Sequence, residues 1–149
     1  MTNAIQKAML THRSRPGKTG IDERGRPKLD PRETARRTIA RETFGQIMRR
    51  LREGQSLNLE RAAKLCGLKS GRMLAQYELN CFPPGRVVNA MAAAYGVEKK
   101  RLAKLVVFYS DPELHLALFG EQGFKPDDDV IEAFLSRTAT TAETLEKAA

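Results

Sequence analysis

The sequence predicts an all-α fold: five helices forming a helix-turn-helix domain, a flexible basic arm before them and short helices after. Three observations carry this reading. Apolar residues recur at helical spacing through most of residues 32–137. Gly, Pro and Asp fall where helices would be capped or broken. No internal repeat and no persuasive strand interrupts the pattern, and aromatics at 6% with no Trp argue against a large β-sandwich.

Residues 1–31 read as a flexible basic arm. A short amphipathic patch (Ala4, Ile5, Ala8, Met9) leads into 11–31, which is rich in Arg, Lys, Gly, Pro and Asp. That stretch has too few apolar groups to offset the entropy of ordering it. Asp30-Pro31 resembles a helix start, with Asp as the cap and Pro in the first turn. From 32 to 53 there is no Pro and Gly45 is the only Gly, while Ile39, Phe44, Ile47, Met48 and Leu51 recur at helical spacing. One or two helices are expected there, with Gly45 as a weak point. The second helix occupies 57–66, capped by Ser56 or Asn58 and striped by Leu59, Ala62, Ala63, Leu65 and Cys66. Gly67 suits the left-handed cap that ends it. The third helix runs over 70–79. Asn80 to Gly85 turn through Pro83-Pro84, and a fourth helix spans 86–95 with Val88, Met91, Ala92 and Tyr95 inward. Gly96 breaks it. The fifth spans 98–109, facing Leu102, Leu105, Val106 and Tyr109 to the core. Ser110-Asp111-Pro112 starts a short helix to Phe119. Lys125-Pro126-Asp127 starts a last one over 128–137, whose acidic first turn complements the helix dipole. Residues 138–149 are expected to fray. The resulting domains are the arm at 1–31, the helix-turn-helix domain at 32–109 and an acidic helical extension at 110–149.

Charge narrows the function. The 149 residues carry a net +8, with pI near 9.8, and the charge is unevenly placed: +8 over 1–53, +6 over 54–109 and −6 over 110–149. A polyanion is drawn to the first two segments and repelled by the third. The acidic end serves solubility or a protein partner. Apolar runs such as 102–109 are far shorter than the roughly 18–20 residues that span a bilayer, and no secretory block is visible, so a cytoplasmic protein without membrane contact is expected. Cys66 and Cys81 lie 15 positions apart without a CxxC, which supports neither a zinc site nor a disulfide framework. His12 and His115 are the only histidines, and neither sits in a catalytic motif. No enzyme, metal or cofactor is expected.

The centre of the chain carries the most specific pattern. Helix 59–66, the turn Gly67-Leu68-Lys69 and helix 70–79 make two short helices joined by a tight Gly-containing turn, as a helix-turn-helix requires. With Leu74 and Tyr77 buried and Glu78 flanking them, about 100° per residue places Lys69, Arg72 and Gln76 on the opposite face. Arg can grip guanine through two bonds, and Gln can grip adenine likewise, in the major groove. Lys69, Ser70, Arg72 and Gln76 are therefore the candidate DNA-binding residues here; an ordinary solvated helix face is the bland alternative. Glu78 is expected to pair with Arg49 or Arg52 of the first helix.

Residues 44–106 resemble the lambda-repressor/Cro-like (XRE) helix-turn-helix family. Phe44-Gly45 and Met48-Arg49-Arg50-Leu51-Arg52 look like its opening helix, and Leu57-Asn58-Leu59-Glu60-Arg61-Ala62-Ala63 stands where its second helix begins. Tyr77-Glu78-Leu79-Asn80 resembles the signature closing its recognition helix, with Pro83, Met91-Ala92 and Tyr95-Gly96-Val97 in the following helix. Leu59 stands where the family commonly has a phosphate-touching Gln, and the turn Lys69-Ser70-Gly71-Arg72 is one residue longer than usual. The resemblance implies a lambda-repressor-like fold and a transcriptional regulator, typically a repressor, of double-stranded DNA. A homodimer is expected, since one helix reads only about 4–5 base pairs.

Arg24-Gly25-Arg26 within the arm resembles the core of an AT-hook. An extended Arg-Gly-Arg can enter a narrow A·T minor groove, where Gly avoids a clash. Arg13-Ser14-Arg15-Pro16 repeats the idea more weakly. Nonspecific attraction to phosphates is the competing reading. Lys99-Lys100-Arg101 is a phosphate contact or a solvated helix start. Phe108, Leu114, Leu116, Leu118 and Phe119 exceed the needs of a five-helix core and read as a cover or a dimer surface, and His115 as a packed residue. A protein-interaction module on the same fold, antitoxin-like or an assembly subunit with a partner at the C-terminal region, is the main rival. An RNA-binding protein ranks last, for want of an aromatic platform.

Overall fold

The computed structural model describes residues 20–148, and the chain divides into two units, Met1–Pro31 and Arg32–Ala149. The amphipathic patch at Ala4–Met9 and the Arg13-Ser14-Arg15-Pro16 motif lie outside the described residues. Seven helices are present among the described residues: α1 (Pro31–Gly54), α2 (Leu59–Leu65), α3 (Gly71–Leu79), α4 (Gly85–Tyr95), α5 (Lys99–Ser110), α6 (Pro112–Phe119) and α7 (Asp128–Ala148). Outside them the only β-type pairing described is an isolated bridge, Ile21 to Pro27. The fold is all-α.

α1 is one continuous helix, and Gly45 does not weaken it. A Cβ built on Gly45 would lie 1.9 Å from the carbonyl oxygen of Glu78 and 2.7 Å from its carbon. Gly45 is there because α1 and the last turn of α3 meet main chain to main chain, which no larger residue permits. Phe44 and Met48, on either side of that contact, are buried.

Asn58 caps α2, its side chain accepting from the N–H of Arg61 at 2.8 Å, so the helix starts with its apolar stripe at Leu59, two residues later than the expected 57. Gly67 adopts a left-handed φ of 69°, and the N–H of Leu68 then reaches the carbonyl of Ala63 at 2.9 Å. α2 and α3 pack against each other directly after this turn. Ser70 is the N-cap of α3, its hydroxyl accepting from Met73 N–H at 3.4 Å.

The core joins Phe44, Met48, Ala62, Ala63, Leu74, Val87, Val88, Met91, Ala92, Tyr95 and Leu102 from α1 to α5. Leu51, Tyr77, Leu105, Val106 and Tyr109 pack on it half-buried. Small residues on α2 let it approach its neighbours closely, while α4 supplies bulk.

The acidic segment is tied to α5 and to α1 at several points. Asp111 caps α6 by accepting from Leu114 N–H at 3.0 Å. His115 is buried, its Nδ1 lying 2.8 Å from the carbonyl of Glu121, and its ring packs on Phe108 and Phe119. Phe124 donates its N–H to the carbonyl of Phe108 at 2.8 Å and stacks on Tyr109. α7 anchors through fully buried Ile131 and through Arg32, which pairs with Asp128 and Glu132. Contrary to the expected fraying after 137, α7 continues to Ala148. Thr138, Thr140, Thr141 and Thr144 donate their hydroxyls to carbonyls one turn back, so their polar groups are satisfied along the helix. No helix among the described residues is long and apolar enough to cross a membrane.

Candidate nucleic-acid interface

α3 is held from behind by a buried ion pair. Arg52 Nε donates to Glu78 Oε1 at 2.6 Å, its Nη2 to Oε2 at 3.2 Å and its Nη1 to the carbonyl of Leu57 at 2.8 Å. The two side chains are only 8% and 6% exposed, so the attraction is little screened and the two-pronged geometry fixes the rotation of α3. The bond to Glu78 holds the Arg52 guanidinium above its ordinary pKa. Of the two partners expected for Glu78, Arg52 is the one used, and Arg49 pairs instead with Glu53 at 2.8 Å. Arg41 adds a third tie by donating to the carbonyl of Asn80 at 3.2 Å. Tyr95 packs nearby, and burial, then the neighbouring Cys66 and Glu78, push its hydroxyl well above the usual tyrosine range. That hydroxyl has no hydrogen-bond partner among the described residues.

With Leu74 buried and Glu78 engaged, the opposite face of α3 is set. Lys69, Arg72 and Gln76 are all exposed, as phasing from Leu74 requires. Gln76 is not wholly free: its Oε1 accepts from Asn80 Nδ2 at 2.8 Å, leaving its amide donors available. Ser70 is half-buried and its hydroxyl is spent on the cap. Met73 and Leu79 stand exposed beside the row at 40% and 65%. Leu79 is expected on this face from the sequence, as a contact for a thymine methyl or a protein partner; Met73, one residue past Arg72, is not.

A cleft of about 180 Å³ opens beside the head of α3, lined by Glu60, Arg61, Ala63, Lys64, Leu68, Lys69 and Ser70. Sequence reasoning missed Arg61 and Lys64, although their i, i+3 spacing places them on one side of α2. Glu60 Oε1 accepts from Gly71 N–H at 3.1 Å, and a Cβ on Gly71 would come within 2.6 Å of that oxygen.

The distribution of paired and unpaired cations is asymmetric. On α1, Arg32, Arg36, Arg37, Arg49 and Arg52 each meet a carboxylate, and Arg41 and Arg50 meet none among the described residues. Among the described residues, Arg61, Lys64, Lys69, Arg72, Arg86, Lys99, Lys100 and Arg101 have no ion-pair partner. Between Arg32 and Ala148, most of the cations without an ion pair thus lie on α2 to α5 and the turn that joins α2 to α3.

In the N-terminal unit, Arg24-Gly25-Arg26 is folded into a turn, whereas entry into a minor groove would need it extended. Asp22 Oδ1 accepts from the N–H groups of Arg24 and Arg26 at 2.9 and 2.8 Å, Gly25 has φ 73°, and Asp22 N–H reaches the carbonyl of Arg26 at 2.8 Å. The segment is a closed turn with exposed arginines, organised by an aspartate that a side-chain motif overlooks.

No protein-family model, curated protein or solved structure matches the chain.

Proposed function

We propose that this protein is a sequence-specific regulator of lambda-repressor-like helix-turn-helix type, a repressor where its site overlaps a promoter. α3 is the recognition helix, lying in the major groove of double-stranded DNA. The observation that carries this reading is the outward face of α3. Arg72 and Gln76 stand exposed on a helix whose seat and rotation are fixed by Gly45 and Arg52. Rigid presentation of a forked cation and an amide is what base-edge recognition demands. Unpaired cations on the neighbouring helices supply attraction to phosphates. Arg24 and Arg26 strengthen binding from the backbone, or from the minor groove once their turn opens. A homodimer on two half-sites provides the needed specificity.

The deciding experiment is selection of bound duplexes from a random pool with competitor DNA present. An enriched palindrome is expected. A pool that stays random through successive rounds defeats the reading. Leu79 at 65% exposure, with Leu114, Leu118 and Phe119 on α6, favours the rival protein-interaction module, which predicts no enriched duplex and a stoichiometric protein partner.

A further inference from the structure

We infer that the cleft between α2 and the turn into α3 seats one backbone phosphate of double-stranded DNA, held by Arg61, Lys64 and Lys69. The inference rests on the DNA-binding reading and assigns Lys69 to the backbone rather than to a base. Lys69 precedes the N-cap Ser70, so it stands at the end of α3 and lines the cleft together with Arg61 and Lys64. An ammonium group is a compact point charge suited to a phosphate, whereas the fork of Arg72 suits a guanine edge. All three cations are exposed and lack an ion-pair partner among the described residues. The only acidic residue lining the cleft is Glu60, which leaves the site doubly positive.

The first turn of α3 offers an anion little. Gly71 N–H donates to Glu60 and Met73 N–H to Ser70, so two of its main-chain donors are already occupied. Side-chain cations therefore supply the charge that holds the anion. Glu60 sits at the helix end and repels a phosphate from it, which leaves the Arg61–Lys64 side as the seat.

The test measures binding of a fluorescent random-sequence 20-base-pair duplex against salt, for the full chain and for Arg61→Gln/Lys64→Gln/Lys69→Gln. Each neutralised phosphate contributes about −0.9 to the slope of log affinity against log salt. The triple variant is expected to bind with a slope shallower by about one, and about tenfold more weakly at 100 mM salt. Lys125→Gln is the charge control and keeps the wild-type slope. A thermal melt of the triple variant that matches the wild type, followed by circular dichroism, separates loss of charge from a folding defect. An unchanged slope in the triple variant overturns the inference while leaving DNA binding intact. Failure of the wild-type chain to bind any duplex overturns both. Inorganic phosphate that abolishes duplex binding at micromolar concentration, beyond its ionic strength, overturns the assignment to DNA by revealing a small-anion site.

Discussion

Replacing Gly45 with alanine sets two physical effects against each other. Alanine in a helix interior is better than glycine by about 1 kcal/mol, so propensity alone predicts a more stable protein. Packing predicts the reverse. The new methyl carbon would sit 1.9 Å from the Glu78 carbonyl oxygen and 3.3 Å from its Cα. Relief needs a shift of more than about 1 Å between α1 and the last turn of α3, and overpacking of that kind costs roughly 1–3 kcal/mol. The shift also pulls on the 2.6 Å Arg52–Glu78 bond and the 3.2 Å Arg41–Asn80 bond. Hydrogen bonds to charged groups contribute about 1.5–3 kcal/mol each. The net expectation is a loss of about 2–4 kcal/mol, or a melting temperature lower by roughly 10 °C. Urea and thermal unfolding followed by circular dichroism measure it. Gly54→Ala is the internal control, because a Cβ there meets nothing within 4 Å, and it should be neutral or slightly stabilising. If Gly45→Ala melts at or above the wild-type temperature, the close main-chain contact between α1 and α3 is wrong.

Four further outcomes are expected. Glu78→Ala leaves Arg52 charged and buried and should lower the urea-derived stability by about 3–5 kcal/mol, whereas Glu53→Ala, whose partner Arg49 is exposed, should leave it nearly unchanged. In Tyr95, the folded chain holds the phenol proton more tightly than the unfolded one. Stability is therefore fully present below about pH 10 and falls as pH rises past it, because the unfolded state loses that proton first; Tyr95→Phe should flatten this alkaline decline in unfolding curves at pH 8–11. Arg72→Ala should cost about 1–3 kcal/mol on the selected duplex and relax preference at one base pair in competition binding; equal loss on every sequence would contradict base readout. Deleting residues 138–149, all exposed where described, should remove helical ellipticity yet shift the melting temperature by no more than a degree or two.

Most of the helical framework was legible because its boundaries are local chemistry. Gly67, Gly96, Pro83-Pro84 and Asp111-Pro112 stop or start helices through constraints carried by one or two residues, and the helices end within a residue or two of them. The burial of Leu74 and His115 followed from apolar context in the same way. What escaped reading depends on partners distant in sequence. Gly45 looks like a flaw until Glu78, 33 positions on, arrives against it. The choice of Arg52 over Arg49 for Glu78 turns on side-chain reach across a helix pair that sequence spacing does not resolve. The closed turn at Arg24-Gly25-Arg26 depends on Asp22, whose carboxylate accepts from two main-chain N–H groups and lies outside the cationic motif. The continuation of α7 was hidden by the threonines at 138, 140, 141 and 144, since threonine is a poor helix former on average. Within the candidate interface, Lys69, Arg72 and Gln76 were found by counting residues along one helix. Arg61 and Lys64 required knowing which side of α2 adjoins the turn into α3.

The seam between α1 and α3 separates two jobs that many helices must combine. Main-chain contact at Gly45 and the clasp of Arg52 anchor α3 entirely from its inner side. Positions 72, 73, 76 and 79 lie outside that anchorage, so a library randomised at those four sites, with proline left out, should stay folded in nearly every member. The outward row can accordingly be rewritten one residue at a time while the seat of the helix stays as it is.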